Sequence, residues 1–225
     1  MKQSARPAFG MKGIACGLVI LSGLSTGGAE EAMRALPAPE ARSDRSLEEV
    51  LRSRRSIRRF THEPLDLREI AQLCWAAQGV TDARRGFRTA PSAGGTFPLE
   101  LYLVTENSVW HYDPQHHRLK KHVDGDLRTA LRRACLDQPW VESAPVVFII
   151  AADIGRTARR YGPRAERYVL IEVGHAAQNL LLQAEALGLG AVPVGAYDDD
   201  QVHALLKLPK EQRVFYVIPV GKPRP

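Results

Sequence analysis

Two short basic stretches lie far apart in the sequence, Arg54-Arg55-Ser56 and Gly221-Lys222-Pro223-Arg224. If a fold brought them together they would suit a phosphate, with arginine gripping it through paired N–H donors and lysine acting as a point charge. Charge alone is equally met by two solvated surface groups. Two runs of small residues lie between them. Pro91-Ser-Ala-Gly-Gly95 offers a hydroxyl and backbone donors uncrowded by side chains, and its glycines allow a flat ligand to approach closely. Gly188-Leu-Gly-Ala-Val-Pro-Val-Gly-Ala-Tyr197 reads as a helix stop, then a strand, then Gly195-Ala196 at the strand end, where bare N–H groups can face a ring. Each run taken singly is also the composition of an ordinary turn.

Other chemistries lack their residues. Outside the signal-like residues 1–29, where Gly23-Leu-Ser-Thr-Gly27 occurs, the chain has no G-x-S-x-G, and nowhere an H-E-x-x-H, C-x-x-C, G-x-G-x-x-G or P-loop pattern, so hydrolase, zincin and Rossmann readings lose their best support. His111, His116, His117 and His122 fall along one predicted hairpin. The adjacent pair His116-His117 would point to opposite faces of a strand, so a polar turn is the expectation rather than a metal site. His175 lies among apolar residues of a long helix and reads as a satisfied core histidine. Export would permit a disulfide between Cys74 and Cys135, and two separate core thiols are the expectation.

These residues must be positioned by regular elements. Ser46 caps a helix that starts at Leu47 and is expected to run into the Arg54–Phe60 stretch and stop at Pro64. Asp66 caps a second helix over 67–78, ended by Gly79. Residues 80–98 read as loop, 99–105 as an alternating strand, and 109–112 with 118–122 as a hairpin around Asp113-Pro114. A helix opens at Asp124 or Gly125, and 144–152 is an apolar, β-branched run expected to be a buried strand. Residues 168–187 form a long helix that is apolar almost all round, hence buried on every side or placed in a subunit interface. A strand over 191–194, a helix capped by Asp198 and a strand over 214–220 complete an α+β layered arrangement.

The 225 residues carry 25% charged and 44% hydrophobic side chains, the proportions of a globular chain. Residues 1–29 contain Lys2, Arg6 and Lys12, no acid, a short apolar run from Gly13 to Leu24, and small residues up to Ala29. That is the layout of a secretory signal, too short to span a bilayer, so export to the periplasm or medium is expected without stable membrane insertion. A start at Met11 would give a more ordinary signal, and a mistaken start leaves a cytoplasmic protein as the alternative. Residues 30–45 read as a Pro-containing linker and 46–225 as the folded domain. Without residues 1–29 the net charge falls from +6 to +3, with acids and bases interspersed, which is not the dense one-faced cluster that a nucleic acid requires.

Taken together the motifs resemble the nitroreductase family of FMN flavoproteins. Arg-Arg-Ser-Ile-Arg-Arg-Phe60 is similar to its opening, Pro91-Ser-Ala-Gly-Gly-Thr-Phe-Pro98 to its flavin-contacting loop, Gln178–Ala184 with Gly188–Pro193 to its central helix and following strand, and Pro219–Arg224 to its C-terminal phosphate end. The Ser-Ala-Gly-Gly loop, the Tyr112-Asp-Pro hairpin and Tyr161–Tyr168 are closer to the SagB-type dehydrogenase branch. The resemblance implies an α+β three-layer sandwich with a central mixed or antiparallel sheet flanked by helices, and an intertwined homodimer with one FMN per subunit in the cleft. It implies an oxidoreductase moving hydride through flavin N5 for a small-molecule substrate, with NAD(P)H as a further partner. An NAD(P)H-dependent nitro or quinone reductase and a non-catalytic redox sensor share that frame. Carried over, Arg54, Arg55, Ser56, Lys222 and Arg224 would hold the phosphate end, and Pro91, Ser92, Ala93 and Gly94 would border the ring from the partner subunit. Pro193 would precede Gly195 or Ala196, one of which offers an N–H to N5, and Tyr161 would be the proton donor. Other members usually carry Asn where Gly95 stands and Glu-Gly where Gly195-Ala196 stand. Azoline oxidases of the SagB type often carry Lys where Arg160 stands, and arginine cannot give up its proton near neutral pH.

Overall fold

A computed structural model describes residues 33–224; the signal-like stretch 1–29 lies outside the described residues. Its centre is a seven-stranded, fully antiparallel sheet. In chain order the strands are β1 (Met33–Ala35), β4 (Leu99–Val104), β5 (Ser108–Asp113), β6 (Arg118–Asp124), β7 (Val146–Asp153), β8 (Gly190–Ala191) and β9 (Gln212–Gly221). They lie side by side as β1-β6-β5-β4-β7-β9-β8. A small separate hairpin is made by β2 (Val80–Asp82) and β3 (Phe87–Arg88).

Helices cover both faces. On one side lie α2 (Leu67–Gln78) and the long α6 (Ala165–Ala186); on the other lie α3 (Arg128–Ala134), α4 (Pro139–Ser143) and α7 (Asp199–Leu205). Strand alternation divides the core. In β7, Val146, Phe148, Ile150 and Ala152 join the α2/α6 core, while Val147, Ile149 and Ala151 join the opposite one. Leu99, Leu101 and Leu103 of β4 follow the first, Tyr102 and Val104 the second. Cys74 and Cys135 are buried in different cores and both are free, and burial pushes both thiols up, Cys135 to about 12.

Several elements depart from sequence expectation. Helix α1 (Leu47–Ser53) ends before the arginines, because Arg54 turns to an extended conformation and the chain after it pairs with strands. The segment 33–45 is laid on the domain: β1 pairs with β6, and the Glu40 N–H donates to Gln72 Oε1 at 2.8 Å. Residues 80–98, expected as loop, contain the β2–β3 hairpin and a 3-10 turn over Ala93–Gly95. Helix α3 begins at Arg128, where the Asp126 carboxylate accepts from the Arg128 N–H at 3.0 Å. Helices α4 and α5 (Ile154–Tyr161) had no counterpart in the sequence reading. His175 is exposed rather than a core residue, since α6 turns one face outward. The hairpin histidines are spent on local bonds, His111 on Glu100, His116 on Asp113, His117 on Tyr112 and the Pro37 carbonyl, and His122 on the Leu206 carbonyl.

Candidate functional site

The chain just after the first basic stretch pairs with the second. Ser56 bridges Ala191 in parallel, and the Ile57 N–H donates to the Ala191 carbonyl at 3.0 Å. Three residues further on, the Thr61 N–H donates to the Lys222 carbonyl and the Arg224 N–H to the Arg59 carbonyl, both at 2.9 Å. This ladder extends β9 beyond Gly221. It needs bare glycine at Gly190, where a Cβ would fall 2.7 Å from the Ile57 side chain. Arg54 caps α1, and its charge bears on Glu185 at the end of α6. The Arg55 guanidinium donates to the Arg52 and Arg54 carbonyls at 3.0 and 2.8 Å, and the Lys222 ammonium pairs with Glu63. Arg55 and Lys222 therefore hold internal partners that an arriving anion would compete for.

From Ala191 the chain runs along β9 away from this ladder to an open strand end. Val194 and Val217 exchange both backbone hydrogen bonds, at 2.8 and 3.1 Å, with half-buried Pro193 just before them. Gly195 and Ala196 are exposed, and a Cβ on Gly195 would meet nothing within 4 Å. Among the described residues neither N–H donates within the chain. The Ala196 carbonyl accepts from Gln138 Nε2 at 2.9 Å, a contact that sequence reading missed. The result is an uncrowded pair of donors on a fixed backbone, the requirement for a flat ligand with an acceptor at its edge.

The small-residue loop forms a second group. Pro91 is exposed, and the Ser92 Oγ accepts from the Phe97 N–H at 2.9 Å. Gly94 sits at φ 60 and its carbonyl accepts from Arg160 at 3.2 Å. A Cβ on Gly94 would lie 2.6 Å from the Tyr161 hydroxyl, so the absence of a side chain is what lets Tyr161 rest on the loop. Tyr161 also packs edge-on against Tyr168, with ring centres 5.0 Å apart. Behind the loop stands Glu172 of α6, only 2% exposed. Its Oε1 has no hydrogen-bond partner among the described residues, and burial pushes its carboxyl up to about 7. Sequence reading passed over it, although a single acid between Ile171 and Val173 in an apolar helix is the available signal, because a buried charge needs a reason. Among the described residues no hydrogen bond or ion pair joins Ser92–Gly94 or Tyr161 to the 54–56, 195–196 and 222–224 group. The two groups are separate in the described chain.

Comparison with known proteins agrees with this frame. The family model described as the nitroreductase family matches residues 51–222. A nitroreductase-named protein of Methanocaldococcus jannaschii is 44% identical over 182 residues, covering 78% of this chain and 90% of its own length. An NADH dehydrogenase of Thermus thermophilus is 28% identical, covering 76% and 83%. A solved nitroreductase-named structure from Ralstonia eutropha superposes with a TM-score of 0.80 at 30% identity, covering 88% of this chain and 92% of that one. With its sheet order, its converging basic ends and this match across most of its length, the chain belongs to the nitroreductase family of FMN-dependent oxidoreductases.

Proposed function

We propose that this chain binds FMN across a homodimer cleft and acts as a SagB-type dehydrogenase. The observation carrying the reading is that one strand edge joins both features: Ser56 and Ile57 pair with Ala191, four residues before the bare Gly195, and residues 59–61 pair with 222–224 beyond Gly221. The residues fit the group: Arg54, Arg55, Ser56, Lys222 and Arg224 supply cations and a hydroxyl for a phosphate, and Gly195 or Ala196 supplies an N–H for the ring edge. Pro91, Ser92, Ala93 and Gly94 border the ring from the second copy. FMN, when bound, supplies hydride transfer at N5; the protein supplies orientation and electrostatics. The converging cations favour negative charge on the bound nucleotide. Tyr161, resting on Gly94, holds a proton at its hydroxyl within the same half-site. Arg160, tied to the Gly94 carbonyl, orients the loop and is no base.

The second copy is argued from α6. Leu170 and Ile171 are 51% and 49% exposed and share an outward stripe with Gly174 and His175. An apolar stripe on the longest helix is unusual for a monomer, and the two half-sites of one chain are unconnected. The Ser-Ala-Gly-Gly loop and Tyr161-Gly-Pro before α6 support the SagB-type assignment. The Thermus relative, named an NADH dehydrogenase, supports a second reading as an NAD(P)H-dependent nitro or quinone reductase.

Light scattering and an absorbance spectrum of purified protein test the frame. The expected result is a yellow dimer. A monomer that stays colourless after incubation with FMN overturns it. Bleaching by NADH or NADPH, followed by reoxidation with a quinone or nitrofuran, favours the second reading over the first. Export is proposed from residues 1–29, and a secreted or periplasmic product whose N-terminus is Glu30 by mass spectrometry is the expected finding.

A further inference from the structure

We propose that Gln138 is a positioning residue of the flavin site: its side-chain amide fixes the Ala196 carbonyl and so sets the direction in which the Gly195 and Ala196 N–H groups face the ring edge. The claim rests on the proposed function in one respect, that this strand end borders FMN. The geometry stands apart from it. Gln138 Nε2 donates to two carbonyls, those of Cys135 and Ala196, each at 2.9 Å. The first bond ties the amide to the end of α3. The second carries that hold across to a stretch with few restraints of its own. Before it, Val194 exchanges backbone bonds with Val217; after it, the Asp198 N–H donates to the Ala134 carbonyl at 2.8 Å. Between them, among the described residues, neither the Gly195 nor the Ala196 N–H donates within the chain, and Gln138 makes the one side-chain hydrogen bond to this backbone. The peptide that carries the Ala196 N–H is thus held on both sides, by Val194 before it and by Gln138 after it. Removing the amide leaves it free to rotate.

The amide is delivered by a strained turn. Leu136 and Asp137, between α3 and α4, both adopt left-handed backbone, at φ 56 and φ 57. Neither is glycine, and a side chain disfavours this region. Three backbone bonds close the turn: the Leu136 N–H donates to the Arg133 carbonyl at 3.1 Å, the Asp137 N–H to the Arg132 carbonyl at 3.0 Å and the Gln138 N–H to the Cys135 carbonyl at 3.3 Å. Leu136 is 66% exposed, so core packing does not account for its conformation. What the turn achieves is the placement of Gln138 against the strand end. Two residues on, the Arg58 guanidinium lies over the Trp140 ring at 5.4 Å, so the same segment also touches the chain that follows the first basic stretch. Strain of this kind persists only where the surroundings over-determine it, and it collects at sites whose geometry matters.

An N–H aimed at the ring edge meets an acceptor, bare N5, in oxidised flavin and another N–H in reduced flavin. A firmly held donor therefore favours the oxidised form. The test compares wild type, Gln138→Ala and Gln138→Met by titration with oxidised and reduced FMN, by the midpoint potential of the bound cofactor, and by backbone NMR order parameters of Gly195 and Ala196 without FMN. Gln138→Met keeps the side-chain length and removes the donor, and it serves alone if Gln138→Ala does not fold. Losing one hydrogen bond to N5 is expected to weaken binding of oxidised FMN about fivefold. Binding of reduced FMN should change little. The two-electron potential should then rise by about 20 mV, a tenfold ratio being about 30 mV. Order parameters at Gly195 and Ala196 should drop from about 0.85 towards about 0.6. A role in structure alone would lower both affinities together and leave the potential where it was. Wild-type order parameters in either folded variant overturn the proposal, as does an unshifted potential or an equal loss of affinity for both redox forms. Wild type that takes up no FMN overturns the cofactor reading alone, and the order parameters then decide whether Gln138 holds the strand end.

Discussion

At Arg54 and Arg224 the prediction is direct. Each is expected to give a charge-assisted bond to the nucleotide phosphate, so replacing either by alanine should weaken FMN binding by about 1.5–3 kcal/mol in a fluorescence titration, with the melting temperature of the cofactor-free protein little changed. Gly94→Ala acts differently. It puts a side chain at φ 60 and drives a Cβ into the Tyr161 hydroxyl, so it should cost at least about 1–2 kcal/mol of stability in a denaturant titration. The basic and glycine positions were legible in the sequence because their types suit an anion and a flat ring, and because a family pattern spaced them. Glu172 and Gln138 were not, because an acid inside an apolar helix and an amide in a turn carry no local pattern. Their meaning comes from burial in one case and from a contact with Ala196, 58 positions away, in the other. His175 misled for the converse reason, since apolar neighbours in sequence do not say which side of a helix is covered.

Among the elements, the side-chain caps Ser46, Asp66 and Asp198 marked where α1, α2 and α7 begin. Asp66 and Glu69 form a reciprocal capping box on α2, at 2.8 and 2.7 Å. Asp66→Ala should cost about 1 kcal/mol, measured by circular dichroism during chemical unfolding. The buried strand β7 was equally plain from its apolar run, and Phe148→Ala, emptying a fully buried site, should cost about 3–5 kcal/mol in the same assay. The expected extension of α1 through Arg54–Phe60 failed because local propensity lost to tertiary pairing: Ile57 and Thr61 are worth more as strand partners of Ala191 and Lys222. Helix α5 escaped notice although Ile154, Thr157, Ala158 and Tyr161 fall at helical spacing, because a glycine and three arginines make its eight residues polar on average; its support is the Asp153 cap and the loop it clamps.

For the molecule as a whole, two acids set opposite limbs of the pH–stability curve. The folded-state value of Glu172 is raised from 4.5 to about 7, so the folded protein binds the extra proton in that window and stability should fall as pH rises through it, by on the order of 3 kcal/mol. Asp113 is depressed because its bonds from Lys120, His116 and Arg118 overcome the burial that would raise it. Its contribution is present above the ordinary value of 3.8 and is lost as acid is added below it. Thermal melts from pH 3 to 8 should show both limbs, and Glu172→Gln should flatten only the upper one. The layered architecture follows from alternation and was within reach of the sequence, whereas the strand order comes only from the structure. Which loop meets which strand end was out of reach too, since that depends on contacts spanning most of the chain. The Arg59–Arg224 bond joins residues about 165 positions apart. Closing a loop of that length costs roughly 4–5 kcal/mol of chain entropy before any contact repays it. In refolding kinetics the nucleotide-binding corner should therefore assemble among the latest events, so that added FMN slows escape from the native state while leaving the rate of reaching it nearly unchanged.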